Sequence, residues 1–301
     1  MSRLSLRPIS YRHVVFPDTI EGGVRALNLT PPRVPEAVLP PAESLSPGES
    51  DSVRWLFEQA GLDPDDYRPE TIKRRIPACL RALRIDSVAK VRATVQTHPT
   101  LLKAAISALV IGVTGFFRDP AVFAILKDSL LPETLMRTAT PRIWSAGCSD
   151  GAELYSVAML LADRGALQRS TLLGTDCRSD ALTRAREGCY DQAAIRNIPA
   201  ELLGRYMAFS QGMWQVHPYL RTVVQWRTGN VMTTSEPGVW NLILCRNMAI
   251  YLQPPAMRRL WMRLEEGLRP GGVLVLGKAE RPHGTTSLEP IAPGIYRRNR
   301  S

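Results

Sequence analysis

The chain has 301 residues, 45% of them hydrophobic and 22% charged, enough for one large domain or two small ones with an ample core. Its formal net charge of +10 allows three readings: an acidic protein partner, nucleic acid, or a solvated basic exterior. Met1 to Thr30 has no apolar core of a secretory leader, and the longest quasi-apolar run, Leu101 to Val113, carries Lys103 and is too short to span a bilayer, so a cytoplasmic protein without membrane insertion is expected.

Residues 1–50 are rich in proline (Pro31-Pro32, Pro35, Pro40-Pro41, Pro47) and read as a flexible arm. From Asp51 to His98 apolar residues recur at helical spacing, and Leu101 to Val110 reads as another buried helix, so 51–112 is expected to be a small all-helical domain. Pro77 should start or kink a helix. Within this domain lies the densest basic cluster, Lys73, Arg74 and Arg75 with Arg81 and Arg84 beyond. At 3.6 residues per turn Arg74 and Arg81 share one face, which is either a solvated surface or a docking face.

After Thr114-Gly-Phe-Phe-Arg-Asp-Pro120 an amphipathic helix should run to about Leu131. Strands are expected at Ile143–Ala146, Thr171–Thr175, Val223–Trp226, Trp240–Cys245, Val273–Leu276 and near Ile295–Arg297. Helices are expected at about Ala152–Asp163, Ser179–Glu187 and Pro254–Leu268, and Arg269-Pro-Gly-Gly272 should form a turn. Residues 189–227 interrupt this alternation with a possible helix (Pro199–Phe209) and a short hairpin. Cys79, Cys148, Cys177, Cys189 and Cys245 form no CxxC pair, and His13, His98, His217 and His283 are far apart. Reduced structural thiols, no metal site and no Ser/His/Asp triad are expected.

The most telling stretch is Arg142 to Ser156 followed by Leu172 to Asp176. An apolar strand enters a glycine-containing loop, an amphipathic helix follows, and a second apolar strand ends in an acid. This order is the first half of a nucleotide-type α/β fold, in which the acid accepts hydrogen bonds from ribose hydroxyls. The alternative role for Asp176 is a helix cap before Ser179. The six-position glycine fingerprint for a pyrophosphate is absent, so a ligand without phosphates fits better.

Several segments agree in order and spacing with one family. Ile111-Gly-Val-Thr-Gly-Phe-Phe-Arg-Asp-Pro120, Trp144 to Gly151 with Glu153 and Tyr155, Gly174-Thr-Asp176, Leu242-Ile-Leu-Cys-Arg-Asn247 with Tyr251, and Leu268 to Gly272 with Gly277 and Glu280 resemble the CheR-type chemotaxis receptor glutamate methyltransferases. The resemblance covers about residues 51–298. It implies an α/β fold, a Rossmann-like methyltransferase sheet (113–301) preceded by the helical domain as substrate-recognition unit, with a small antiparallel β subdomain inserted at about 189–227.

The resemblance also implies the activity: methyl transfer from S-adenosylmethionine to glutamate side chains of chemoreceptors, leaving S-adenosylhomocysteine. Gly147 and Gly151 would shape the cofactor loop, with Glu153 at the start of the next helix. Asp176 would bind the ribose hydroxyls, and Asn230, Arg246 and Asn247 would line the adenosine and methionine parts. Thr114, Arg118 and Tyr251 would stand near the reactive methyl, with Arg118 and Tyr251 as the catalytic pair. Lys73, Arg74, Arg75, Arg81 and Arg84 would face the acidic helical bundle of a receptor. A monomer is expected, with no nucleic-acid partner.

Four departures from the family pattern bear on the acceptor. The usual Gly-Glu-Glu-Pro-Tyr is Gly151-Ala-Glu-Leu-Tyr155, an asparagine common two residues before Thr114 is Gly112, and a frequent arginine pair is Ala78-Cys79. The segment Arg205 to Trp226 is short, so no tether to a receptor's C-terminal peptide is expected. Two other readings stay open from the residues: an S-adenosylmethionine-binding sensory or scaffold protein, or a methyltransferase with another acceptor such as RNA.

Overall fold

Helical periodicity sets in at Pro47, earlier than the Asp51 expected. The computed structural model describes residues 47–110, 112, 114–233, 238–284 and 287–300, all within one compact unit spanning 43–301. The arm expected over 1–50 lies, up to residue 46, outside the described residues, as do Ile111 and Val113.

Helices α1 (Pro47–Gln59), α2 (Pro69–Leu83), α3 (Val91–Thr97) and α4 (Leu102–Leu109) form the N-terminal helical layer. Their apolar stripes meet in one core built on Leu56, Phe57, Ile72, Cys79, Leu83 and Leu109. Helix α2 continues through Pro77 rather than starting there, and ends on Arg84 in the left-handed conformation.

Helix α5 (Pro120–Ile125) passes through a π turn, Leu126–Leu130, into α6 (Leu131–Arg137), beyond the Leu131 end expected. Pro132 has no N–H to continue the α register, and Leu131 donates instead to the Leu126 carbonyl. Strand β1 (Arg142–Ala146), α7 (Ala152–Ala162), β2 (Thr171–Asp176) and α8 (Ser179–Glu187) follow as the sequence indicates.

The interrupting segment contains β3 (Cys189–Tyr190), α9 (Gln192–Ile195), α10 (Ala200–Tyr206), β4 (Met207–Ser210), β5 (Met213–Val216) and α11 (Pro218–Arg221). The helix expected through Phe209 stops at Tyr206, because Met207 to Ser210 pairs with β5 across a tight turn at Gln211-Gly212. Both turn residues have positive φ, 52° and 78°. Strands β3, β5 and β4 make a small antiparallel sheet.

The main sheet is completed by β6 (Val224–Thr228), β7 (Trp240–Cys245), β8 (Leu268–Leu276), β9 (Leu288–Ala292) and β10 (Ile295–Arg298), with α12 (Pro254–Gly267) between β7 and β8. Its seven strands run in the order β6-β2-β1-β7-β8-β10-β9. The first five are mutually parallel and β10 is antiparallel to both neighbours. Arg269 to Gly272 is part of β8 rather than a separate turn. The register jumps from Trp240↔Leu268 to Leu242↔Val273, so these residues bulge out of the ladder with Gly271 at φ 74°. The unexpected β9 is an edge strand holding Pro290, where a missing N–H is harmless.

Alternation along the strands feeds two cores. Ile143, Leu172, Leu242 and Val275 pack with α7, while Trp144, Leu173, Ile243 and Leu274 pack with Leu260, Trp261 and Leu264 of α12. Helix α7 is buried from Ala152 to Leu161, which explains why it is apolar on nearly every side. No helix among the described residues is long and apolar enough to cross a membrane.

Candidate functional site

The sheet changes direction between β1 and β7: the chain first moves from β1 to β2 and later returns to β1's other side. A crevice therefore opens beyond the carboxyl ends of these strands. The helical layer lies across it. Tyr67 and Leu252 form an antiparallel bridge, Arg68 N–H donates to the Tyr251 carbonyl at 2.9 Å, and Gln253 N–H donates to the Asp66 carbonyl at 2.8 Å. Asn230 Nδ2 reaches the Gly61 carbonyl at 2.9 Å, and Ser107 Oγ reaches Asp180 at 2.6 Å. The result is a roofed cleft enclosing about 1060 Å³, its open mouth included.

The loop after β1 is held from β2. Gly147 and Cys148 both donate to the Thr175 carbonyl, at 2.8 and 2.9 Å, and Ser149 N–H donates to Asp176 Oδ2 at 2.8 Å. Gly147 lines the cleft at φ 72°. Gly151, at φ 87°, does not line it; it opens α7 and lets the Trp226 ring pack where a Cβ would stand, 2.4 Å from that ring. Asp176 does not cap α8. Its Oδ1 takes the backbone N–H of Arg178 at 2.9 Å and its Nε at 3.2 Å. Burial pushes the Cys177 thiol up to about 12, with the Asp176 charge adding to it, which keeps it protonated beside the cleft.

On the opposite wall, Phe116 and Phe117 are anchored in the core, and Phe117 N–H donates to Ser156 Oγ at 3.0 Å. Positive φ values at Phe117 (48°) and Asp119 (63°) bend the chain on either side of Arg118, which lines the cleft with Thr114. Arg246 lies beneath them. Its side chain is 2% exposed, and the guanidinium bonds Glu153 at 3.1 Å, Asp119 at 2.5 Å and the Arg118 carbonyl at 2.9 Å. Glu153 also accepts from Ser145 Oγ at 2.9 Å. Arg246 and Glu153 border the cleft, but their charged ends bind each other and brace the Arg118 turn.

Asn247 and Tyr251 complete the lining with Asp176 and Asn230. Thus Thr114, Arg118, Gly147, Glu153, Asp176, Asn230, Arg246, Asn247 and Tyr251, scattered over the sequence, surround one space. The basic residues of α2 are elsewhere: Arg74, Arg81 and Arg84 are exposed, Lys73 is half-buried, and Arg75 Nε donates to the Ala108 carbonyl at 2.8 Å. Only the first turn of α2, at Thr71, reaches the cleft. Sequence reasoning missed Tyr67, Ser149 and Arg178 as lining residues; the one available signal was Arg178 two positions after the strand-end acid.

The donor and acceptor set suits a nucleoside that carries an amino group. Asp176 Oδ2 has acceptor capacity left after Ser149, and Asn247 Oδ1 is buried without a partner among the described residues, so a ligand N–H or O–H would satisfy it. No group of three His, Cys, Asp or Glu side chains among the described residues could hold a metal ion.

The sequence matches the family model for the CheR methyltransferase SAM-binding domain over residues 112–294 and that for the CheR methyltransferase all-alpha domain over 52–110. The chemotaxis protein methyltransferase Cher2 of Pseudomonas putida is 30% identical over 257 residues, covering 80% of this chain and 94% of its own length. Chemotaxis protein methyltransferase 1 of Pseudomonas aeruginosa is 32% identical over 75% of this chain and 87% of its own length. Chemotaxis protein methyltransferase 1 of Vibrio cholerae is 30% identical over 78% and 90%. With its helical layer, its roofed cleft and these matches along both parts, the chain belongs to the CheR family and is an S-adenosylmethionine-dependent methyltransferase.

Proposed function

We propose that the protein esterifies glutamate side chains of chemoreceptors (methyl-accepting chemotaxis proteins). The observation that carries this reading is the gathering of Thr114, Arg118 and Tyr251 with Asp176, Asn230 and Asn247 around one cleft roofed by a helical layer. The names of the relatives, chemotaxis protein methyltransferases, support it.

S-adenosylmethionine supplies an electrophilic methyl group on a sulfonium. Asp176, Asn230 and Asn247 would hold its adenosine and amino-acid parts, beside the loop that Gly147 shapes. A glutamate carboxyl, with an ordinary pKa of about 4.3, is already ionised at neutral pH, so the transfer needs no general base. The protein's task is to orient the carboxylate and exclude water. Arg118 grips one carboxylate oxygen and leaves the other to attack, Tyr251 and Thr114 bound the reacting space, and Tyr67 and Leu252 close the roof. Arg246 and Glu153 act one layer back, by fixing the Arg118 turn.

Arg74, Arg81 and Arg84, exposed on α2 and its C-cap, meet the acidic surface of the receptor's cytoplasmic helical bundle and speed encounter. The β4–β5 hairpin turns in two residues and offers little surface to a receptor's C-terminal peptide, so no peptide tether is used. Low-micromolar binding of an isolated tail peptide would overturn that point.

The deciding experiment is transfer of labelled methyl from S-adenosylmethionine to the cytoplasmic fragment of a receptor, with Arg118→Ala alongside and the product treated with mild alkali. Label released as methanol, and lost in the variant, supports carboxyl methylation at this site. Alkali-stable label, or none despite cofactor binding, sinks it.

A further inference from the structure

Arg178 stands where a side chain at position 112 would otherwise be. A Cβ built on Gly112 falls 1.9 Å from Arg178 Nη2, 2.2 Å from Cζ and 2.3 Å from Nη1, so this pose of the guanidinium exists only because residue 112 is glycine. The guanidinium is held from two further sides. Nε meets Asp176 Oδ1 at 3.2 Å and Nη2 donates to Ser149 Oγ at 2.9 Å, while Ser149 Oγ donates to the Gly112 carbonyl at 3.0 Å. Arg178 is 5% exposed and Asp176 7%.

An ionised carboxylate has about four acceptor positions, two on each oxygen. On Asp176, the backbone N–H and Nε of Arg178 take both positions of Oδ1, with the Cys177 thiol also 3.9 Å away. On Oδ2 the Ser149 N–H takes one position, and no other described residue donates to the second. The wedged guanidinium thus fills the second position of Oδ1 through Nε, beside the backbone N–H, and leaves Oδ2 as the oxygen with room for a ligand donor.

We propose that Arg178 is a cofactor-positioning residue: it locks Asp176 so that this enzyme reads a single ribose hydroxyl of S-adenosylmethionine, through Oδ2. The inference rests on the assignment of Asp176 to the ribose. Without the Arg178 side chain the backbone N–H groups of residues 178 and 149 still hold one position on each oxygen, but the second position of Oδ1 opens, so a ribose hydroxyl can be accepted by either oxygen. Gly112 is the permissive partner, since any side chain there expels the guanidinium.

The test is calorimetric titration of the full chain with S-adenosylhomocysteine and its 2′-deoxy and 3′-deoxy analogues. In the wild type one deoxy analogue should bind about tenfold more weakly, as for a lost hydrogen bond to a charged group, and the other within about threefold of the parent. In Arg178→Met and in Gly112→Ala the parent should bind about tenfold more weakly and the preference between analogues should collapse. An arginine with only a structural role would weaken all three ligands by one factor and keep their ratios. Equal losses for both analogues in the wild type, or wild-type discrimination retained in a folded variant, would overturn the proposal. Gly112→Ala, which keeps Arg178, carries the test if Arg178→Met does not fold. Asp176→Ala separates the two levels. Undiminished parent binding there defeats the ribose assignment itself, whereas weakened binding with unaltered discrimination in the Arg178 and Gly112 variants defeats only the positioning role.

Discussion

Glu280 holds Asn247 by its backbone. Glu280 Oε2 accepts the N–H of Asn247 at 2.9 Å and that of Gly277 at 2.7 Å, and Oε1 accepts from Ala249 at 2.8 Å. This buried carboxylate, 3% exposed, explains how a non-glycine residue keeps φ at 59° beside the cleft. Glu280→Gln replaces one acceptor oxygen by an amide nitrogen that cannot accept, and should cost about 1–3 kcal/mol of stability. It should also weaken S-adenosylhomocysteine binding more than it lowers kcat at saturating cofactor. Urea unfolding and calorimetry measure both, and wild-type values in each would show that Glu280 does not hold the Asn247 loop.

Arg246 is the brace under Arg118. Its removal leaves Glu153, half of a buried pair, without its cation, and Asp119 with only the exposed Lys278, at 3.6 Å, among the described residues. Arg246→Met should lower stability by about 3–5 kcal/mol, as for other broken buried pairs. Arg246→Lys should recover part of the stability but little activity, because a point charge cannot span Glu153, Asp119 and the Arg118 carbonyl at once. If the lysine variant regains full methyl transfer, Arg246 does not position Arg118.

The contrast between these residues shows what was legible beforehand. The path β1, glycine loop, α7, β2, Asp176 could be read because strand alternation, helical periodicity and a terminal acid are local signals. The β8 bulge, the π turn and β4 could not, because each depends on a neighbour: the β7 ladder, Pro132's missing donor, and the edge of β5. Nine of the residues that the motif resemblance singles out line one cleft, but type alone does not show where a guanidinium points. Arg246 read as a cofactor contact is spent on Glu153 and Asp119, and Arg75 read as part of a docking face is spent on the Ala108 carbonyl. Tyr67 carried no motif and Arg178 only its place two positions after the strand-end acid; both join the site through contacts formed only on folding.

The exposed and half-buried arginines of α2 should separate in experiment. Arg74→Glu with Arg81→Glu should raise KM for a receptor cytoplasmic fragment about tenfold at low salt, with the effect shrinking as salt screens the encounter. Cofactor affinity and kcat should stay near wild type, since neither residue lines the cleft. Arg75→Ala should instead lower thermal stability, through loss of the α2–α4 strut. An unchanged KM in the double variant would remove α2 from receptor docking.

Glu133 offers a pH test of how α6 is fastened to the sheet. Its two oxygens accept from Arg297 Nη1 and Nη2, both at 2.7 Å, and Oε1 also accepts from Arg137 at 2.9 Å. Hydrogen bonding from Arg297, opposed by partial burial, holds the carboxyl below its ordinary value of 4.5. A depressed acid of this kind stabilises the fold fully above the unfolded-state pKa, and that contribution fades as pH falls through the lower folded-state value. Glu133→Gln should therefore lower Tm at pH 7, and the gap to wild type should narrow steadily once the pH drops below about 4.5. Melting curves at pH 7, 5, 4 and 3 measure it. A gap that stays constant to pH 3 would mean that shape and neutral hydrogen bonds, rather than the charge on Glu133, join α6 to β10.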